Sequence, residues 1–169
     1  MAQERLDTAR QWLDPLAARY PDAPPVRYWQ GALAERAGEY DRALSFYEKV
    51  LEDIPEQPET LAQIGAGYLR AGRAEAAVTP LEKVVRLRPH DLAAAKLLAA
   101  AHMQRSRPVD AVASLEAALA ENEPDPQLLA LLGTARLRIG DISQALAMLQ
   151  RAAALAPDAT DESLTRIAV

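Results

Sequence analysis

One spacing, 34 residues, recurs along the whole sequence and constrains the fold more than any other feature. Five tracks of small or apolar residues follow it, and the proline track has gaps of 34, 34, 35 and 33 residues. The tracks are Ala9, Ala43, Ala77, Ala111 and Ala145; Leu13, Tyr47, Leu81, Leu115 and Leu149; Gly31, Gly65, Ala99 and Gly133; Gly38, Gly72, Ser106 and Gly140; and Pro21, Pro55, Pro89, Pro124 and Pro157. A fixed period of about 20–50 residues predicts an array of structural repeats.

Within one period the apolar residues indicate two helices. In the period that ends at Pro89, Leu61 and Ile64 begin a face with helical spacing. Gly72 ends that helix, because glycine adopts the left-handed conformation at low cost. A second apolar face runs through residues 74–85, and Pro89 terminates it. Each period therefore predicts an antiparallel helical hairpin, and the hairpins must stack to bury their apolar faces.

The small tracks predict where the paired helices cross. Two helices approach to about 8 Å only where the residues between them are small. We therefore expect Gly31, Gly65 and Gly133, together with the alanine track, at the crossing points, with the larger track beside them. In the third repeat Ser106 replaces the turn glycine and Pro108 follows it. Because proline is tolerated at the first position of a helix, we expect this hairpin to form as well.

Charge and composition disfavour several classes of protein. The net charge of −5 and the pI near 5.1 make this chain a poor candidate for binding nucleic acid. The absence of cysteine excludes disulfides and thiolate chemistry. No apolar run reaches the roughly 18 residues that predict a membrane span. The start of the sequence lacks the basic and apolar regions that are typical of a signal peptide.

No constellation of polar residues indicates catalysis. His90 is expected in a turn and His102 in the partly packed core, and two separate histidines do not predict a metal site. The acidic segments 121–125 and 158–162 lack the glycine and the ligand order of a calcium loop, so we expect solvated turns there. We predict that the protein is not an enzyme and needs no cofactor or metal.

The periodic residues resemble the tetratricopeptide repeat family, whose pattern combines a small residue, glycine, alanine, an aromatic or leucine, and proline. Gly65, Gly72, Ala77, Leu81 and Pro89 show that pattern, and the resemblance covers essentially the whole chain. It implies an all-α fold, a right-handed superhelical solenoid of antiparallel helix hairpins. We divide the chain into the second half of a repeat at 1–23, full repeats at 24–57, 58–91, 92–125 and 126–159, and the start of a further repeat at 160–169.

The resemblance also implies a binding surface, because the first helix of each tetratricopeptide hairpin lines a concave groove. It places these residues there: Tyr28, Ala32, Glu35 and Arg36; Ala62, Ala66, Leu69 and Arg70; Lys96, Ala100, Met103 and Gln104; Ala130, Thr134, Leu137 and Arg138. The predicted floor is small and apolar with a basic rim, which suits an amphipathic helix or an extended segment of a protein partner. A plainer interpretation stays open: arginines near helix ends complement the helix dipole, and small residues permit tight curvature.

Partners other than such a peptide also stay open. The apolar faces at both ends favour end-to-end self-association, which is open-ended where it does not close. Both ends fall in mid-repeat, so we expect a piece of a longer array, and a non-catalytic arm of a larger enzyme is a third hypothesis. The segment 125–135 with Ala154–Pro157 looks like the tetratricopeptide lipoproteins of bacterial exopolysaccharide systems associated with exosortase. That likeness implies a periplasmic parent that organises polysaccharide export or protein sorting; a cytoplasmic location is the alternative.

Overall fold

Helices account for nearly all of the described chain. The structure is a computed structural model that describes residues 2–156, with side chains described from residue 6 onward. The helices of this part are α1 (Ala2–Arg19), α2 (Pro24–Arg36), α3 (Tyr40–Asp53), α4 (Pro58–Arg70), α5 (Ala74–Leu87), α6 (Leu92–Gln104), α7 (Pro108–Glu121), α8 (Pro126–Ile139) and α9 (Ile142–Leu155). No strand occurs among the described residues, so the predicted all-α class is confirmed for them. Pro157 and the predicted segment 160–169 lie outside this part.

Two units share the chain, Met1–Val84 and Val85–Val169. In the first unit, α2 packs against α3, α3 against α4, and α1 against α2. Its core consists of Ala34, Ala43, Leu44, Tyr47 and Ile64, each at most 5% exposed. Turns of three or four residues join helices that pack together, so consecutive helices form antiparallel hairpins.

The second unit repeats this packing. Its α6 contacts α7 and α8, and α8 contacts both α7 and α9. The main core cluster consists of alanines and leucines, of which Ala99, Ala111 and Leu115 lie on the tracks: Ala95, Ala99, Ala111, Leu115, Ala118, Leu128, Leu132 and Ala135. A smaller cluster joins Leu129, Ala130 and Ala152. Alanine and leucine thus supply all the buried residues of these two clusters.

The glycines inside first helices make room for the large track of the following helix. A Cβ added to Gly65 would lie 2.4 Å from Leu81 Cγ, and one added to Gly31 would lie 2.6 Å from the Tyr47 ring. Nonbonded carbon atoms do not approach this closely, so only glycine at these positions allows Leu81 and Tyr47 to pack as they do. The structure therefore refines the predicted crossing points, because the glycines face the large track more directly than the alanine track.

The turns between paired helices use the left-handed backbone conformation. Gly38, Gly72 and Gly140 have φ of 79°, 71° and 86°. Ser106 takes the same place in its hairpin with φ of 57°, and Pro108 begins the helix that follows. The predicted turn therefore forms without glycine, although a residue with a Cβ is less stable in that conformation.

Candidate protein-binding surface

The predicted binding residues lie on α2 and α4 in the first unit and on α6 and α8 in the second. We call these the first-helix faces of the two units and describe each separately. The structure brings some of the predicted residues into direct contact and places others in the core or in a different groove.

In the first unit, Glu35 of α2 and Arg70 of α4 form an ion pair. Glu35 also accepts a hydrogen bond of 2.9 Å from the Tyr47 hydroxyl, and its side chain is 14% exposed. Burial lowers the pKa of the Arg70 guanidinium, whose carbon lies 6.0 Å from the centre of the Tyr40 ring. Arg70 therefore fastens α4 to α2, and an internal carboxylate balances much of its charge.

Tyr47 forms the inner side of this arrangement. It is 1% exposed, and burial, followed by the charge of Tyr28, raises the pKa of its hydroxyl. Tyr28, a predicted binding residue, packs its ring 5.7 Å from the Tyr47 ring and is partly buried against the core. These aromatic rings therefore stabilise the first-helix face from its buried side, and they offer little exposed surface to a partner.

The accessible apolar part of the first unit's face comes from α4. Ala62, Ala66 and Leu69 are all half-buried, and Arg70 follows them at the end of the helix. They form a shallow surface of small side chains with one larger leucine. Ala32 and Arg36 of α2 line a different groove, described below.

In the second unit, Lys96 is engaged with the start of α8. Its ammonium group lies 2.9 Å from the Asp125 carboxylate and donates a 2.9 Å hydrogen bond to Gln127. Asp125 caps α8 by accepting a 2.7 Å hydrogen bond from the Leu128 N–H. Burial by itself raises the pKa of Asp125, but the hydrogen bonds from Lys96 and Leu128 outweigh it and lower the pKa overall. Lys96 therefore stabilises the junction of two hairpins.

The remaining predicted residues of α6 and α8 differ in exposure. Ala130 is 5% exposed in a buried cluster, so it contributes to the core and not to the accessible face. Thr134 donates a 2.9 Å hydrogen bond to the Ala130 carbonyl of its own helix. Met103 packs partly against the core, whereas Leu137 is 48% exposed. Ala100 is half-buried, and Gln104 and Arg138 are exposed.

A polar link between successive repeats was not predicted from the sequence. Tyr68 of α4 donates a 3.1 Å hydrogen bond to Glu48 of α3. Arg136 of α8 contacts Glu116 of α7 and lies 2.9 Å from Asp141. Tyr68 and Arg136 are 68 residues apart, as are Glu48 and Glu116, which is twice the period. That spacing was visible in the sequence, but one partner of the link is a tyrosine in one repeat and an arginine in the other, so the two links did not look equivalent.

A second unpredicted feature is an apolar groove between α1 and α2 of about 600 Å³, which we call the N-terminal groove. It is lined by apolar side chains, among them Leu6, Trp12, Leu13, Leu16 and Trp29. Trp12 and Trp29 are 77% and 61% exposed, which is unusual for side chains of this size. The sequence signal was that Leu13 and Leu16 lie in the repeat register of positions that are buried in later repeats.

Acidic and histidine side chains do not gather into a metal site within the described residues. His90 lies in the turn before α6, with its Nδ1 2.8 Å from the Glu121 carbonyl oxygen, and His102 is 6% exposed. Within residues 2–156, every helix is too short or too polar to cross a membrane.

Comparisons with known proteins identify the fold family. One family model described as tetratricopeptide repeat matches residues 34–101 and 102–163, and a second with that description matches residues 1–58. A search of curated proteins finds no match.

Solved structures provide the structural comparison. MamA from Desulfovibrio magneticus RS-1 is 23% identical with a TM-score of 0.80, over 94% of this chain and 88% of that one. Another MamA crystal structure is 25% identical with a TM-score of 0.74, over 79% of this chain and 73% of that one. A thermophilic tetratricopeptide repeat protein of Thermus thermophilus is 23% identical with a TM-score of 0.70, over 99% and 91% of the two chains.

These likenesses have one common element, the tetratricopeptide fold. Proteins of this family generally act as non-catalytic scaffolds that bind other proteins. The family models together span more than half of the sequence. The chain therefore belongs to the tetratricopeptide repeat family.

Proposed function

We propose that the first-helix faces bind an amphipathic helix or an extended segment of a partner protein, and that the chain performs no catalysis. The observation that supports this most directly is Leu137, a leucine on a first helix with 48% of its surface exposed. An exposed leucine beside small residues offers an anchor point for an apolar side chain of a partner.

The ion pairs narrow the chemistry of that partner. Arg70 and Lys96 are already balanced by Glu35 and Asp125. Arg138 has no ion pair among the side chains that the structure describes, and it follows Leu137 directly in the sequence. We therefore expect the partner to carry an apolar anchor residue next to an acidic residue. Since two of the four predicted basic side chains are already paired within the chain, the overall acidity of the partner should matter less than it would if all four were free.

Partner capture followed by an affinity measurement tests the proposal. Proteins retained from a lysate by the wild-type chain are identified, purified and titrated against wild type and Leu137→Glu by calorimetry. A charge at the anchor should reduce affinity by on the order of tenfold or more, since a buried unpaired carboxylate is unfavourable. Circular dichroism of the variant should match that of the wild type, because Leu137 lies at the surface.

A matched control comes from the neighbouring helix. Leu146 of α9 is 55% exposed and lies on a second helix, outside the predicted face. Leu146→Glu changes charge and hydrophobicity in the same way, so it should leave the affinity of the partner unchanged. Equal losses in the two variants, or no loss in Leu137→Glu, would show that the partner binds elsewhere.

A second function follows from the N-terminal groove, whose exposed tryptophans favour an assembly element as the alternative. In that case the chain serves as a connecting piece of a larger machine, for which polysaccharide export or protein sorting is one setting. Capture of the chain's own copies, equally by wild type and Leu137→Glu, would support this alternative.

A further inference from the structure

One position on the first-helix face of the first unit departs from the repeat. Glu35 of α2 has the register of Leu69, Met103 and Leu137, which lie one, two and three periods later. The later first helices thus carry an apolar side chain where α2 carries a carboxylate. A residue that breaks a pattern kept by the rest of a chain is a candidate for a functional role.

A second departure from the repeat lies in direct contact with the first. Tyr47 belongs to the large track, on which Leu81, Leu115 and Leu149 have no polar side-chain atom. The Tyr47 hydroxyl donates the 2.9 Å hydrogen bond to Glu35 Oε2. Because Tyr47 is 1% exposed, its hydroxyl would lose its acceptor if the carboxylate moved away. Tyr47 therefore holds the carboxylate of Glu35 in place.

The other carboxylate oxygen of Glu35, Oε1, contacts the guanidinium of Arg70. The side chain of Arg70 is 44% exposed, whereas that of Glu35 is 14% exposed. The positive charge therefore reaches the surface of the face, and the negative charge that opposes it lies just beneath. Any ligand that approaches the guanidinium also approaches the carboxylate of Glu35.

This arrangement discriminates between charged and uncharged ligands. A carboxylate that approached Arg70 would gain the attraction of the guanidinium but lose much of it to repulsion by Glu35 at short range. Glu35 does not relieve that repulsion by turning away, because Tyr47 holds it.

An uncharged segment meets no such repulsion on this face. Ala66 lies four residues before Arg70 and thus on the same side of α4, and Leu69 directly precedes Arg70. Both of these apolar side chains are half-buried, so part of each surface is accessible beside the guanidinium. The contacts available next to Arg70 are therefore apolar ones.

We propose that Glu35 is a specificity-determining residue, which makes the first-helix face of the first unit select an uncharged apolar segment and discriminate against carboxylates. This inference rests on the proposed function and narrows it. The acidic residue expected in the partner is then recognised by Arg138 of the second unit. Specificity of this kind comes from an element that is unfavourable for the wrong ligand, and not only from attraction to the right one.

A titration with acetate tests the proposal, because acetate is a minimal carboxylate and requires no identified partner. NMR spectra of the arginine Nε–H groups follow its binding to the full chain, and the spectrum of Arg70→Lys assigns the signal of Arg70. A parallel titration with sodium chloride corrects for ionic strength. In Glu35→Gln, the initial slope of the Arg70 chemical shift against acetate concentration should be about two- to fivefold steeper than in the wild type. Glutamine keeps the length of the side chain and an acceptor for the Tyr47 hydroxyl.

Glu48→Gln is the matched control. Glu48 also accepts a hydrogen bond from a tyrosine, the 3.1 Å bond from Tyr68, and its replacement changes the net charge by the same amount. In this variant Arg70 should respond to acetate as in the wild type, and Arg138 should respond alike in all of these chains. If Glu35→Gln fails to fold by circular dichroism, the double change Glu35→Leu with Tyr47→Leu replaces it, because leucine occupies both positions one period later.

Two results would overturn the inference. An equal response of Arg70 in the wild type and in the chain without the Glu35 carboxylate would show that this charge has no effect on ligands. An equal gain in Glu48→Gln would assign the effect to the net charge of the chain. Because the titration uses no partner protein, it decides this inference even where partner capture fails, whereas the affinity of Leu137→Glu for a captured partner decides the proposed function.

Discussion

Replacing Gly65 with alanine is expected to destabilise the first unit, although alanine is the better helix former. The new Cβ would lie 2.4 Å from Leu81 Cγ and 2.6 Å from its Cδ2. Leu81 is 0% exposed, so its branching carbon cannot move without displacing its neighbours. Overpacking of this kind costs about 1–3 kcal/mol. Removal of a helical glycine offsets about 1 kcal/mol of that cost, so the net loss is up to about 2 kcal/mol.

Gly67→Ala is the matched control in the same helix. Its added Cβ would lie 3.3 Å from Leu44 Cδ2, the far end of a flexible side chain. Both variants have the same gain in helix propensity, so the difference between them isolates the contact with Leu81. We expect Gly67→Ala to range from neutral to about 1 kcal/mol more stable than the wild type.

Thermal and urea unfolding followed by circular dichroism measure the difference. In a chain of this length, 1 kcal/mol corresponds to a change in Tm of about 2–4 °C. Because repeat arrays do not always unfold in one step, the first resolved transition is compared between variants. If Gly65→Ala proves as stable as Gly67→Ala, glycine is not required at the crossing, and the packing assigned to this hairpin is wrong.

Two further predictions concern the second unit. Ser106→Gly should raise stability by about 1 kcal/mol, because it removes a Cβ from a left-handed turn; the reciprocal Gly140→Ser should lower stability in the same thermal assay, and the opposite pair of signs would refute the argument. Because the pKa of Asp125 is lowered in the folded protein, its pairing with Lys96 stabilises the fold above about pH 4 and that stabilisation is lost as pH falls further. Asp125→Asn keeps the helix cap, so urea unfolding should show the wild type to be more stable by up to about 1 kcal/mol near neutral pH, with a difference that shrinks as the pH falls below about 4. A difference that stays constant with pH would show that the charge of Asp125 does not stabilise the fold.

The sequence was sufficient to predict the helices and their ends because backbone rules decide them. The φ preference of Gly72 fixes a turn, and that of Pro108 fixes the start of a helix. The structure places both residues as expected. Ser106 shows the strength of the register, since the hairpin imposes a left-handed turn on a residue that disfavours it. The register of the hairpin therefore determines this turn even where the residue type does not favour it.

The binding surface was harder to predict because it depends on side-chain partners. Arg70 and Lys96 have the spacing of rim residues, yet each meets a carboxylate from another helix. Ala130 shares the register of Ala62, but the smaller cluster of the second unit buries it. Such differences depend on rotamers and on local packing, which a repeating pattern averages out. The N-terminal groove was overlooked for a different reason, because a pattern shows where an apolar residue is but not whether it is covered.

The links between repeats have a consequence for the response to ionic strength. In the first unit Tyr68 supplies a neutral donor to Glu48, whereas in the second unit Arg136 faces both Glu116 and Asp141 as a full charge. Dissolved salt screens the attraction between opposite charges more than it weakens a hydrogen bond from a neutral hydroxyl. Rising salt therefore weakens the link between α8 and α7 more than the link between α4 and α3, so two equivalent contacts of the repeat differ in their dependence on ionic strength.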